Sequence, residues 1–379
     1  MFSRTAPALV ALLLLAACSR AQHPAESPQP SLPSVLPATA PATTPAPAPE
    51  VAATNSPAPA PAIPAAPAGK PVEIASAPHP VETTTPQAPP VTAPPASAPT
   101  LRFLVPAGHG AAWLVDELGT TVGANVTVRT YATDAEFEAA FHSPDAPFDI
   151  VGITDRTADA LVAQHQLRDL PDNLAPPLAQ PAPEFLHHYF DPLNRQTWPY
   201  GFTLYGFVAP AAGAAGPPRA WRGLAGEASL AFAGDAALRA ALWEIALNKP
   251  PGAGDPLPPA WQKAALDTPA AGAAGARVDT IAHFRSLPDA GGEVILPAEG
   301  SAIVLYSWAI PADAPQPQLA EAALRALASP ARAARIAAEN HLAAVQPEAR
   351  RVLPPAATAD PLVYPPEHLL NQCRFVRAK

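Results

Sequence analysis

The apolar positions of the chain change their spacing from segment to segment, and each spacing predicts an element. LRFLVP (101–106) is an almost unbroken apolar run, the pattern of a strand buried on both faces. AAWLVDELG follows, placing Trp113, Leu114 and Leu118 on one helical face, with Gly119 as its stop. VTVRTY (126–131) alternates Val126, Val128 and Thr130 against Thr127, Arg129 and Tyr131. Asp134 is placed to cap the amphipathic AEFEAAF, FDIVGIT (148–154) is a further apolar strand, and Thr157 can cap ADALVAQ. The order β-α-β-α-β-α predicts a parallel sheet with helices on both faces. Ligands of such sheets bind beyond the carboxyl ends of the strands, which singles out the loops at 106–110 and 154–157.

The theme returns further on. SLAFAGDAALRAALWEIALNK (229–249) reads as a strand, a turn holding Asp235, and a helix with Leu238, Leu242 and Ile245 at helical spacing. VILPAEGSAIVLYSWAIP (294–311) holds two short strands around a Gly turn, and QLAEAALRALASPARAARIAAENH is two helices broken at Pro330. The stretch between Pro258 and Glu293 is too short and too rich in Ala and Gly to hold, in full and with its Trp, the strand that the family resemblance given below implies there.

The first hundred residues are of another kind. Arg4 precedes an apolar run, Leu9 to Leu15, too short for a permanent membrane helix. The run ends in Leu15-Ala16-Ala17-Cys18, which resembles the bacterial lipoprotein signal, and that resemblance implies acylation of Cys18. Ser19 after the cysteine implies sorting to the outer membrane. Residues 19–100 are Pro/Ala/Thr tracts without hydrophobic period; they carry much of the chain's total of 55 prolines. Such a composition predicts a disordered tether, because it cannot bury enough apolar surface to offset its ordering entropy.

Charge and cysteine content remove several functions. A formal net charge of −9 argues against a nucleic-acid surface. With Cys18 lipidated, Cys373 is the one remaining cysteine, so neither an intramolecular disulfide nor a cysteine zinc site is expected. His187 and His188 are adjacent, so they point apart, and no acid or third His stands at ligand spacing. No G-x-S-x-G, H-E-x-x-H or phosphate loop occurs, and no enzyme activity, metal or cofactor is expected.

Four further segments carry a family resemblance. VRTYATDAEFEAAF…FDIVGITDRTADALVAQHQLRDLPDNL, YFDPLNRQTWPYGF, AWRGLAGEASLAFAGDAALRAAL and LPAEGSAIVLYSWAIPADAP…SPARAARIAAENH resemble, in order, segments of the periplasmic polyamine-binding proteins of ABC transporters. The resemblance covers nearly all of 101–379. It implies a two-lobed α/β solute-binding fold with lobe 1 at about 101–205 and 308–345 and lobe 2 at about 206–307 and 346–379. It places the interlobe crossings near 199–210 and 306–310, with Trp198 and Tyr200 as hinge packing. The implied function is binding of a small solute, a polyamine, and its delivery to an ABC permease from the periplasmic face of a membrane.

The same resemblance marks the candidate site and its departures. The first loop carries His109 in place of an aromatic-bearing motif; Thr154 keeps a hydroxyl, and Arg156 stands near an aromatic position. Phe202 and Tyr205 are candidates to edge into the cleft. Asp235 matches a ligand carboxylate, although it could simply cap its helix. Leu238 stands where a second acid is expected, Tyr306 meets another acid, and Leu342 meets an aromatic. With Asp235 as the retained carboxylate and Arg156 adding positive charge, weak or absent affinity for putrescine and spermidine is expected. A non-transport envelope scaffold or sensor on the same fold is the alternative.

Overall fold

Strand β1 (Thr100–Pro106) shows how the period-2 geometry of a strand builds a core on both faces of a sheet. Leu101, Phe103 and Val105 project into one cluster of buried residues, and Leu104 projects into another. The computed structural model describes residues 98–110, 112–144, 147–176, 179–209, 216–266 and 275–377, all within one unit, Thr85–Lys379. The expected signal, the expected lipidation site Cys18 and the tether as far as residue 97 lie outside the described residues. Among those described, no helix is long and apolar enough to cross a membrane.

The expected alternation forms: β1, α1 (Ala112–Val122), β2 (Asn125–Tyr131), α2 (Asp134–Phe141), β3 (Ile150–Thr154) and α3 (Asp155–Ala163). β2, β1 and β3 are parallel neighbours. Two local readings are corrected. Helix α1 runs through Gly119 and ends before Gly123, whose φ of +68° is the left-handed conformation that glycine tolerates. Gly119 instead allows a close approach, since a Cβ there would lie 2.8 Å from the Ala124 carbonyl. The caps also sit earlier than expected: Thr133 caps α2 and Thr154 caps α3, because a side chain just outside the first turn reaches the free N–H groups.

The chain then enters β4 (Trp198–Val208), the longest strand, which is buried almost throughout. Asp191 fixes the entry: its carboxylate accepts the N–H groups of Arg195, Gln196 and Thr197 and the Thr197 hydroxyl. Next come β5 (Leu230–Phe232), α4 (Ala236–Ala246), α5 (Pro259–Lys263), β6 (Ala276–Thr280), α6 (Ile281–Ser286), β7 (Val294–Ile295) and β8 (Ala302–Ala309). Between Pro258 and Glu293 the strand that forms, β6, is short and carries no Trp. β6 is only five residues long, which suffices because it is flanked by β4 and β5.

The full order is β2-β1-β3-β8-β4-β6-β5, with β8 antiparallel to both β3 and β4. Two strands thus run the length of the junction. Trp198 to Leu204 of β4 pair with β8, and Tyr205 to Val208 pair with β6. A third core lies beyond this junction, built from Phe207, Trp221, Phe232, Leu238, Leu242 and Trp261.

The tail is α7 (Pro317–Leu327), α8 (Pro330–Glu339), β9 (Ala343–Ala344), α9 (Pro347–Val352) and β10 (Arg374–Phe375). Residues 346–379, expected in the second lobe, divide their contacts, with Arg374 donating to the Lys249 and Ala241 carbonyls beside the third core. Ala349 and Leu353 are buried with α1, α7 and α8, and Tyr364, Leu370 and Phe375 pack on the second core. Val376 alone joins the third. The reason is that α9 turns back against α8 and carries its apolar face onto the first half of the sheet.

Asp191→Ala would leave three backbone N–H groups at the mouth of β4 without their acceptor, each worth about 1–3 kcal/mol when buried. A loss of at least about 2 kcal/mol in a denaturant melt is expected. A change below about 0.5 kcal/mol would show that the entry loop holds itself.

Candidate functional site

Two helix N-termini face each other across the carboxyl ends of the strands. On one side, the Thr154 hydroxyl caps α3, lying 3.3 Å from the Thr157 nitrogen and 3.1 Å from its hydroxyl. This sets Asp155 and Arg156 in the first helical turn. On the other side, Asp235 caps α4, its Oδ1 accepting the Leu238 N–H at 2.8 Å. The second oxygen, Oδ2, accepts a hydrogen bond from Nη2 of Arg156. The two readings left open for Asp235 are thus joined, since it caps its helix and holds a cation that belongs to the chain itself.

The electrostatics follow from this pairing. Partial burial works against the charge of Asp235, but the hydrogen bond and charge of Arg156, with the Leu238 N–H, outweigh it and lower its pKa. Burial likewise opposes the Arg156 charge, and Asp235 more than offsets it. The side chains are 20 % and 48 % exposed, so water screens the pair, which contributes no more than about 1 kcal/mol.

An aromatic wall stands beside the pair. His109 is 8 % exposed, and its Nδ1 is hydrogen-bonded to the Tyr200 hydroxyl at 2.6 Å. Its ring meets Tyr306 edge to face at 4.8 Å between centroids, and Tyr200 stacks on Trp308 at 4.4 Å. Tyr306 pairs across the sheet with Thr154, which links this wall to the cap of α3. Tyr205, partly buried, raises the pKa of Arg156, and burial raises its own phenol pKa. His109, Thr154, Arg156, Tyr205, Asp235 and Tyr306 are therefore brought together.

Phe202 is not. It stacks on Phe185 at 4.9 Å and lines a separate cavity of about 500 Å³ with Arg350 and Tyr364. Phe202 and Tyr205 are three residues apart on β4, so the alternation of a strand already sets them on opposite faces. Trp198 and Tyr200 are buried in the first core, as expected of hinge packing. Leu238 is buried in the third core, and Leu342 packs against Gly201.

Sequence reasoning missed two buried carboxylates and did not place the exposed Asp134 near the site, although its charge reaches Arg156, Tyr205 and Tyr306; Asp235 is therefore not the only acid there. Asp279 lies on β6 opposite Gly206, and its charge reaches Tyr205 and Tyr306. Burial lifts its pKa to about 6 against the pull of His283, 3.6 Å away. Asp155 is 1 % exposed; burial lifts its pKa to about 7, although Tyr189 and the Leu305 N–H hydrogen-bond to it. Each acid already has partners. A V-D-T ending to a strand, followed by a Thr-capped helix, was the one signal that could have found Asp279. His187 and His188 are tied to the carbonyls of Pro192 and Glu184.

Burial pushes the pKa of His109 down from 6.5 to about 3. Between those values the unfolded chain binds a proton that the folded chain refuses, so this residue costs stability as pH falls from 6.5 towards 3. Asp155 and Asp279, with raised values, act in the opposite sense over the range from their folded pKa down to ordinary carboxylate values. His109→Gln keeps a partner for Tyr200 and removes only the first contribution. Between pH 6.5 and 4.5 the wild type is expected to lose stability relative to the variant by up to about 1.4 kcal/mol per pH unit. Parallel melting curves would refute the buried neutral imidazole.

No family model matches the sequence, and no curated protein does. Solved structures do match. The spermidine/putrescine ABC-transporter substrate-binding protein of Streptococcus pneumoniae aligns with a TM-score of 0.64 at 16 % identity, over 74 % of this chain and 94 % of that one. A putative spermidine/putrescine ABC transporter protein of Listeria monocytogenes gives 0.62 at 18 %, with 74 % and 94 % covered. The Tp0655 lipoprotein of Treponema pallidum gives 0.60 at 16 %, with 73 % and 94 % covered. Proteins named for GABA and for thiamin match too, at 0.54 and 0.53. At these identities the likeness establishes the fold: the chain has the two-lobed α/β architecture of periplasmic solute-binding proteins, with β4 and β8 as the strands that cross between its halves.

Proposed function

We propose that the chain is a lipid-anchored extracytoplasmic solute-binding protein that presents a small molecule to an ABC permease. The supporting observation is the convergence of His109, Thr154, Arg156, Tyr205, Asp235 and Tyr306 at the carboxyl ends of the strands, where this architecture takes its ligands. Such a site works by closure of its two halves around a solute. It needs no reacting group, and the proposal assigns it none.

Polyamine is what the resemblance implies, and the geometry bears against it. A desolvated ammonium needs a carboxylate, yet Asp235 is committed to Arg156 and Asp279 to His283. One unpaired buried ammonium costs several kcal/mol, and each 1.4 kcal/mol is tenfold in affinity. The same internal ion pair favours a second reading, in which the fold serves as an envelope scaffold or sensor and no longer takes a polyamine.

Two measurements test these readings. Melting the full chain against polyamines, amino acids and organic anions at millimolar concentration should give no shift with putrescine or spermidine. A clear upward shift with spermidine would restore ordinary polyamine uptake, and silence across the whole panel would favour the scaffold. Separately, Cys18→Ala should move the protein from the membrane to the soluble periplasmic fraction. A mutant that stays with the membrane would refute the anchor.

A further inference from the structure

We propose that Arg156 is a built-in occupant of the solute cleft: its guanidinium fills, in cis, the cation position offered by Asp235 and latches the two halves together without a ligand. This rests on the solute-binding reading above and adds to it a statement of what holds the cleft shut.

Three independent observations support it. First, Arg156 sits in the first turn of α3, where the helix dipole disfavours positive charge. The placement is compensated by a carboxylate 79 residues away, on a helix of the other core, with Asp134 adding a smaller favourable charge. Second, both oxygens of Asp235 are engaged within the chain, one by the Leu238 N–H and one by Arg156, so an incoming cation must compete with Arg156 for them. Third, Nε of Arg156 is buried without a hydrogen-bond partner, so part of its fork is unmatched within the chain.

The pair is half exposed and salt-screened, so it shifts the balance between closed and open forms by only a few-fold. A weak latch is what a displaceable occupant requires. Arg156 can swing out when a ligand brings its own charge, or remain when none arrives.

The test is chemical replacement of the missing guanidinium. Arg156→Ala should open the cleft, seen as a larger radius of gyration in solution scattering. The variant, unlike the wild type, should then gain about 2 °C in melting temperature with saturating ethylguanidinium, with the radius returning to the wild-type value. Arg156→Ala/Asp235→Asn should not respond. Should Arg156→Ala fold poorly, Arg156→Met keeps the aliphatic stem, and Asp235→Asn alone should open the wild-type cleft. Equal responses of wild type and variant to ethylguanidinium, or no response of either variant, overturn the proposal. A solute from the panel that shifts only the wild type would uphold the solute-binding reading whichever way this test falls.

Discussion

The antiparallel ladder between β4 and β8 is the interaction on which the other features depend. From Trp198 opposite Trp308 to Leu204 opposite Ile303, it ties together the two chain segments that pass between the halves of the fold. On one side β8 continues the sheet through β3; on the other β4 continues it through β6. The first two cores pack on the β1 side and the third beyond β6, so the ladder is the seam between independently packed bodies. Small changes of twist along a pair of long strands are a low-energy way for two such bodies to open and close, the hinge motion common among ligand-enclosing proteins.

The ladder also decides what chemistry meets at the seam. Tyr306 on β8 sits opposite Thr154 on β3, and Tyr205 on β4 sits opposite Thr280, one residue after Asp279. Phenols, a buried imidazole and carboxylates with raised pKa values are crowded together. Burial is the first cause of every one of those shifts. The raised pKa values bring Asp155 and Asp279 close to neutral pH, while Arg156 and Asp235 keep a charge pair at the mouth.

Much of the fold was legible in the sequence because local rules set it. The apolar run of β1, the alternation in β2, the break at Pro330 and the Asp235 turn all specify their elements within a window of a few residues. Errors came where a neighbour outside that window won. Gly119 looked like a helix stop, but the tight contact with Ala124 required a glycine there and the helix continued. The Ala/Gly-rich stretch before Glu293 holds only the short β6, which forms because β4 and β5 supply partners on both edges.

The sequence by itself determined the order of strands and helices, since periodicity and capping act through neighbours along the chain; the crossing segments and the candidate site residues were what the family resemblance implied. Only the tertiary structure decided how those residues are used. Arg156 and Asp235 are 79 positions apart, and nothing in either segment encodes that one neutralises the other. Phe202 is packed on Phe185, away from the cleft, and α9 folds back against α8. Charge pairing, burial and register are properties of distances in space, and those distances exist only once the two halves have packed on the ladder between them.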